Sequence, residues 1–165
     1  MISDKIQAAL NTQLNDELFS SYLYLSMSAY FSNKDLNGFA NWFRLQSNEE
    51  YGHAMKIYDY LHQVGAKVVL KEVKRPKTDW DSHVSVFQET HEHEQKISKS
   101  INKLVDLAIA EKDHATVNYM QWFVSEQVEE EASSLQNLKK MEMIGDNKAG
   151  LFMLDKEFGG RVANQ

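Results

Sequence analysis

Cysteine is absent from the 165 residues, and with it go disulfides, thiolate zinc sites and iron–sulfur clusters. Proline occurs once, at Pro76, and glycine seven times, so few breakers interrupt the chain. That scarcity favours long helices over an all-β fold with many turns. No apolar run approaches the roughly 20 residues that a membrane helix needs, so no membrane partner is expected. The start, Met1-Ile2-Ser3-Asp4-Lys5, has no basic segment leading into an apolar stretch. No secretory signal is visible there, and a cytoplasmic protein is expected. An excess of basic residues is also lacking: the net charge of -6 argues against nucleic acid as a partner.

What is present is a globular composition, 42% hydrophobic and 25% charged, of a length that suits one domain over residues 1–165. The pattern predicts an all-α chain with four long helices, over 4–31, 36–64, 83–110 and 114–144, and a short fifth over 147–157. Ser32-Asn33-Lys34-Asp35 reads as a turn, Gly65 as a helix C-cap and Asp113 as an N-cap. The connection over 65–82 is long for a helix–helix link, where about two to eight residues are usual. A helix over 36–64 spans roughly 44 Å, and an extended chain over 65–82 reaches about 59 Å. The link can therefore run the length of the bundle and leave the second and third helices parallel, the one-crossover topology.

Each long helix carries a core stripe at alternating three- and four-residue spacing. The stripes read Leu10, Leu14, Glu17, Ser21, Tyr24; Phe39, Phe43, Gln46, Glu50, His53, Ile57, Tyr60, Val64; Phe87, Thr90, Glu94, Ile97, Ile101, Leu104, Ala108; and Met120, Phe123, Gln127, Glu130, Ser134. All four are interrupted near the middle by polar, ligand-capable residues. The interruptions repeat at an offset of 77 residues, Glu17 onto Glu94, Glu49 onto Glu126, Glu50 onto Gln127 and His53 onto Glu130, while most of the surrounding sequence does not repeat. A bundle whose two halves each supply one side of a central site would show this.

A carboxylate at a core position is costly unless it is paired or bound to metal. Glu17, Glu50, Glu94 and Glu130 stand one per stripe, with no lysine or arginine in those stretches. Two divalent ions would balance four carboxylates. Oxygen ligands with one imidazole suit iron or manganese. Glu50-x-x-His53 puts a carboxylate and an imidazole on one helical face, one turn apart. Alone, that motif is weak; in register with the three other glutamates it is specific. His83, His91, His93 and His114 lack such partners and read as surface or capping residues.

From Leu10 to about Glu157 the chain resembles the prokaryotic non-haem ferritins, of the ferritin-like di-iron superfamily. The resemblance is carried by Asn15-Asp16-Glu17-Leu18 with Tyr22 to Tyr24, by Asn48-Glu49-Glu50-Tyr51-Gly52-His53-Ala54, by His93-Glu94-Gln95, and by the run Gln121-Trp122-Phe123-Val124-Ser125-Glu126-Gln127-Val128-Glu129-Glu130-Glu131. It implies a four-helix bundle with one long crossover and a short C-terminal helix. It also implies that Glu17, Glu50 and His53 hold one iron, and that Glu50 bridges to a second held by Glu94 and Glu130. Gln127 would sit beside the site on the oxygen side. Glu49, Glu126 and Glu129, with Glu130, would form a nearby third iron site. Tyr24 would lend an electron or a hydrogen bond, and Trp122 would lie close to the centre. A bacterioferritin would have a second Glu-x-x-His where this chain has Gln127-x-x-Glu130. It would also have a methionine just after the second-helix glutamate, where this chain has Tyr51 and Gly52 before His53. No haem is therefore expected.

The function so implied is iron storage with ferroxidase activity: oxidation of Fe²⁺ by O₂, then a ferric mineral inside a hollow homo-oligomer of twenty-four subunits. Blander readings stand beside it. The run from Glu126 to Glu131 is by default a solvated acidic face, Tyr24 a packed aromatic, Trp42, Trp80 and Trp122 packing residues, and the short tail a cap on the bundle end. A di-metal oxygenase would need an apolar substrate pocket and usually a longer chain. A metal-buffering bundle would bind without turnover.

Overall fold

The computed structural model describes residues 2–163. Five helices make up the fold: α1 (Asp4–Ser32), α2 (Asn37–Gln63), α3 (His83–Ala110), α4 (His114–Ile144) and α5 (Lys148–Gly159). Their ends fall within two residues of those expected. Ser3 accepts from the Ile6 amide at 3.3 Å to start α1. Ser82 and Ser85 cap α3 reciprocally at 3.1 Å, and Asp113 caps α4 through the Thr116 amide at 3.0 Å. α2 ends in a Schellman motif, with the Ala66 amide on the Leu61 carbonyl at 2.8 Å and Gly65 at φ +69°.

The start of α2 has no cap from its own N-cap residue, Leu36. Asp155 of α5 serves instead, accepting from the Phe39 amide at 2.9 Å. This long-range cap needs Gly38, where an added Cβ would lie 1.6 Å from the Asp155 carbonyl oxygen.

α1 packs along α2 and α3 along α4, making two hairpins that meet face to face. Residues 64–82 join them without helix or strand. The link is strapped to α1: Asn11 Nδ2 donates to the Lys67 carbonyl at 2.9 Å, the Val69 amide donates to Asn11 Oδ1 at 2.6 Å, and Ser26 Oγ donates to the Lys77 carbonyl at 2.6 Å. It thus climbs α1 from its beginning to its end, and α2 and α3 run parallel as the length of the link suggested.

The core is two apolar slabs with a polar layer between them. One, where α5 crosses, is aromatic: Phe31, Phe39, Phe43, Phe87 and Phe158 meet with ring centroids 5.0–5.9 Å apart. The other is mainly aliphatic, with Leu10, Leu14, Ile57, Leu61, Ile97, Ile101 and Leu104. Each fully buried large side chain contributes roughly 1.5–3 kcal/mol, so the slabs bear the stability that the polar layer lacks. α5 gives Leu154 and Phe158 to the aromatic slab and leaves Phe152 and Met153 exposed. No helix among the described residues is long and apolar enough to cross a membrane.

Candidate metal centre

The polar layer is assembled by register. Glu17 lies one turn beyond Leu14 on α1, Glu50 two turns beyond Phe43 on α2, and Glu94 one turn beyond Thr90 on α3, each continuing a buried stripe. Glu17, Glu50 and Glu94 are at most 2% exposed and His53 is 6% exposed; Glu130 is partly buried. Glu17, Glu50 and His53 each turn one ligand atom inward so that the three lie within 4.8 Å of one another; Glu50, Glu94 and Glu130 form a second such group. Glu50 belongs to both. His53 Nδ1 stands 3.2 Å from Glu50 Oε2.

Amides hold the carboxylates in place. Gln13 donates to Glu17 Oε1 at 2.8 Å. Gln46 donates to both Glu50 Oε1 at 3.1 Å and Glu130 Oε2 at 2.9 Å. Gln127 donates to Glu94 Oε2 at 3.1 Å and to its carbonyl at 3.3 Å. The buried Tyr24 hydroxyl donates to Glu94 Oε1. Glu17 Oε2 is buried with no hydrogen-bond partner among the described residues. No lysine or arginine among them pairs with any of the four carboxylates.

The electrostatics follow. Burial, then the charge of Glu50, raises the Glu17 carboxyl to about 8. Burial and the charge of Glu94 raise Glu130 to about 7. Glu50 is pushed well above the carboxylate range by burial and by Glu94 and Glu130. Glu94 is raised by burial, with the Tyr24 and Gln127 hydrogen bonds opposing. Four acids crowded together resist ionisation in one another's presence, and a pair of divalent cations removes that resistance. The orphaned Glu17 oxygen, the single imidazole and the oxygen-rich donor set all fit hard or borderline divalent ions such as Fe²⁺.

The outer glutamates are not brought into one group. Glu49 Oε2 is 2.6 Å from Arg161 Nη2, Glu126 Oε1 is 3.9 Å from His53 Nε2, and Glu129 is exposed. Trp122 lies edge-on to His53, centroids 5.3 Å apart, with Lys56 over its outer face at 4.4 Å. His93 departs from the surface reading: it is buried, its Nε2 2.7 Å from Ser20 Oγ, and packed among Phe19 and Tyr24. Burial, with Lys96 adding to it, lowers its imidazole to about 4. α3 faces both α1 and α4, so its buried arc is wider than one stripe. His91 contacts Ser134 at 3.0 Å and His83 contacts Tyr30 at 3.2 Å.

The model of the ferritin-like domain family matches residues 7–144. The chain belongs to that family. It is 44% identical to a bacterial non-heme ferritin of Bacteroides fragilis over 98% of this chain and all of the relative. It is 40% identical to one of Campylobacter jejuni over 94% and 93% of the two chains. Among solved structures, an open-pore ferritin of the hyperthermophilic archaeon Archaeoglobus fulgidus superposes with a TM-score of 0.97 at 48% identity, covering 98% of each chain. A closed form engineered from the A. fulgidus ferritin gives 0.98 at 47% identity, over 99% of this chain and all of the other. This ferritin chain is thus one of an iron-storage family of the non-haem type.

Three residues beside the site carried no role in the sequence reading. Gln13 and Gln46 each precede a ligand glutamate by four residues, a spacing that sets an amide against a carboxylate on one helix face. That signal was available. Arg161, more than a hundred residues from Gln46 and Glu49, gave none.

Proposed function

We propose that this protein oxidises Fe²⁺ with O₂ at a two-iron centre within each subunit and stores the Fe³⁺ as a mineral in a hollow homo-oligomeric shell. The observation that carries the reading is the sharing of Glu50 by two groups of ligands. Glu17, Glu50 and His53 receive one Fe²⁺; Glu50, Glu94 and Glu130 receive the other. Each iron gives up one electron. Dioxygen takes both, together with two protons, and leaves as hydrogen peroxide, so no free one-electron oxygen radical is released. Ferric ions then hydrolyse and collect inside the shell.

Gln46 and Gln127 keep the carboxylates turned inward while iron enters and leaves. Tyr24, whose hydroxyl donates to Glu94, holds that ligand in place. Glu49, Glu126 and Glu129, with Glu130, would gather around a third ion on the way to the mineral, although the side chains as they stand are not brought into one group. The exposed Phe152 and Met153 face of α5 suits a contact around the symmetry axis of a twenty-four-subunit shell. No haem takes part, and the setting is cytoplasmic.

The test mixes metal-free protein with two Fe²⁺ per subunit in air and follows ferric absorbance, beside Glu50→Ala and His53→Ala. Rapid oxidation abolished by both substitutions is expected. Oxidation no faster than buffer, or indifferent to both, would leave a buffering or purely structural protein. Light scattering separates a shell from a small bundle.

A further inference from the structure

α5 ends at Gly159, and two residues later the chain turns back onto α2. Arg161 makes this return. Its Nη1 donates to Gln46 Oε1 at 2.9 Å and to the Trp42 carbonyl at 3.3 Å, and its Nη2 donates to Glu49 Oε2 at 2.6 Å. The guanidinium lies over the Trp42 ring, 4.6 Å from its centroid. Asn41 Nδ2 donates to the Arg161 carbonyl at 3.1 Å, which anchors the backbone as well. The Arg161 and Glu49 side chains each keep 22% exposure, so the pair is shielded beyond an ordinary surface ion pair.

Two consequences follow from this geometry. Arg161 engages the oxygen of the Gln46 amide, which turns the amide nitrogen towards Glu50 and Glu130; the reversed amide would set an acceptor against two carboxylates. Glu49, the outer glutamate next to the shared ligand, already has a cation on it. A planar fork held by stacking on Trp42 and by two other acceptors, Gln46 Oε1 and the Trp42 carbonyl, is pre-organised for that carboxylate.

We propose that Arg161 is a resident cation for Glu49 that a divalent ion at the outer site must displace, so that the segment after α5 sets the affinity of the third iron position. The inference rests on the reading of Glu49 as an outer iron ligand. Arg161 is a positioning residue: it touches no iron, and it acts through the carboxylate it holds. Its consequence is an order of filling in which the inner pair loads first and the third ion binds only when free iron is high enough to expel the arginine.

The experiment is anaerobic titration calorimetry of the assembled protein with Co²⁺, comparing wild type, Arg161→Gln, Arg161→Lys and Glu49→Gln. Two tight steps and one weaker step are expected, the weaker one lost in Glu49→Gln. Arg161→Gln should tighten the weaker step roughly two- to fivefold, the worth of the pair removed. Arg161→Lys, which keeps the charge without the fork, should tighten it less. A change passed through Gln46, which holds both Glu50 and Glu130, shows as a shift of the two tight steps, whereas loss of the Arg161–Glu49 pair alone leaves those two steps unmoved. A third step unchanged or weakened in Arg161→Gln, but lost in Glu49→Gln, overturns the role of the arginine and leaves the third site standing. An isotherm indifferent to Glu49→Gln removes the third site and the inference with it. Should Arg161→Gln fail to assemble, Arg161→Lys decides alone, an unaltered third step counting against the proposal.

Discussion

Glu49 and Glu50 are neighbours in the chain, as are Glu129 and Glu130, yet within each pair the two carboxylates have different surroundings. Glu50 is 2% exposed, holds two ligand groups together and accepts from Gln46. Glu49 sits on the shoulder of the helix against Arg161. Glu130 turns towards Gln46, and Glu129 faces solvent. One residue along an α-helix is about 100° of rotation, which is the whole difference between core and shoulder. The inner carboxylates are positioned by register and by amides, with no cation needed to keep them there. The outer ones take the partners that the surface offers.

The strongest way to break this contrast is Glu50→Ala. Both inner positions lose a ligand, so oxidation should fall to the rate of iron in buffer, measured by ferric absorbance; Glu129→Gln should leave the first turnover within about twofold. Equal losses in the two variants would mean that inner and outer carboxylates do one job. Next in size is Gln46→Leu, which removes the donor to Glu50 and Glu130. Loss of such an orienting hydrogen bond typically costs 10–100-fold in metal affinity, and calorimetry with Co²⁺ should show about tenfold; an unchanged isotherm would make the amide a bystander.

pH sharpens the contrast further. The folded, metal-free chain keeps the Glu17 proton up to about 8 and the Glu130 proton up to about 7, against an ordinary value of 4.5. A raised carboxyl contributes stability that is fully present below 4.5 and lost as pH climbs through the folded value. Metal-free protein should therefore lose about 1–3 kcal/mol between pH 5 and pH 8 by denaturant melts, and Glu17→Gln should flatten that slope. A stability that rises over this window would contradict the burial of unpaired acids. The smallest expected effect is Tyr24→Phe. It removes the donor to Glu94 and should slow oxidation by severalfold while metal stoichiometry stays the same; a lost metal position would make Tyr24 a part of the binding set instead.

The helices and the inner set were legible because each depends on local periodicity, and the crossover because the 65–82 link is long enough to run the length of the bundle. Glu17, Glu50, His53, Glu94 and Glu130 fall on stripes whose ends are mainly apolar, and a stripe states which way a side chain points. The arrangement of Glu49, Glu126 and Glu129 was not legible, since a shoulder residue adopts the rotamer its partner dictates, and Arg161 comes from the far end of the chain. His93 was misread because a single stripe understates the buried arc of a helix touched on two sides. The cap that Asp155 lends to α2 was hidden for the same reason as Arg161, although Gly38 marks the place where another backbone comes close.

The strapped link between α2 and α3 bears on how the molecule folds. Each hairpin forms from contacts near in sequence, while docking of the two requires closing a long loop. Glu17, Glu50 and His53 all lie on the first hairpin, whereas the group of Glu50 with Glu94 and Glu130 spans both hairpins. An ion held by the second group would be a rivet between the two hairpins, and its binding energy would add directly to the stability of the docked state.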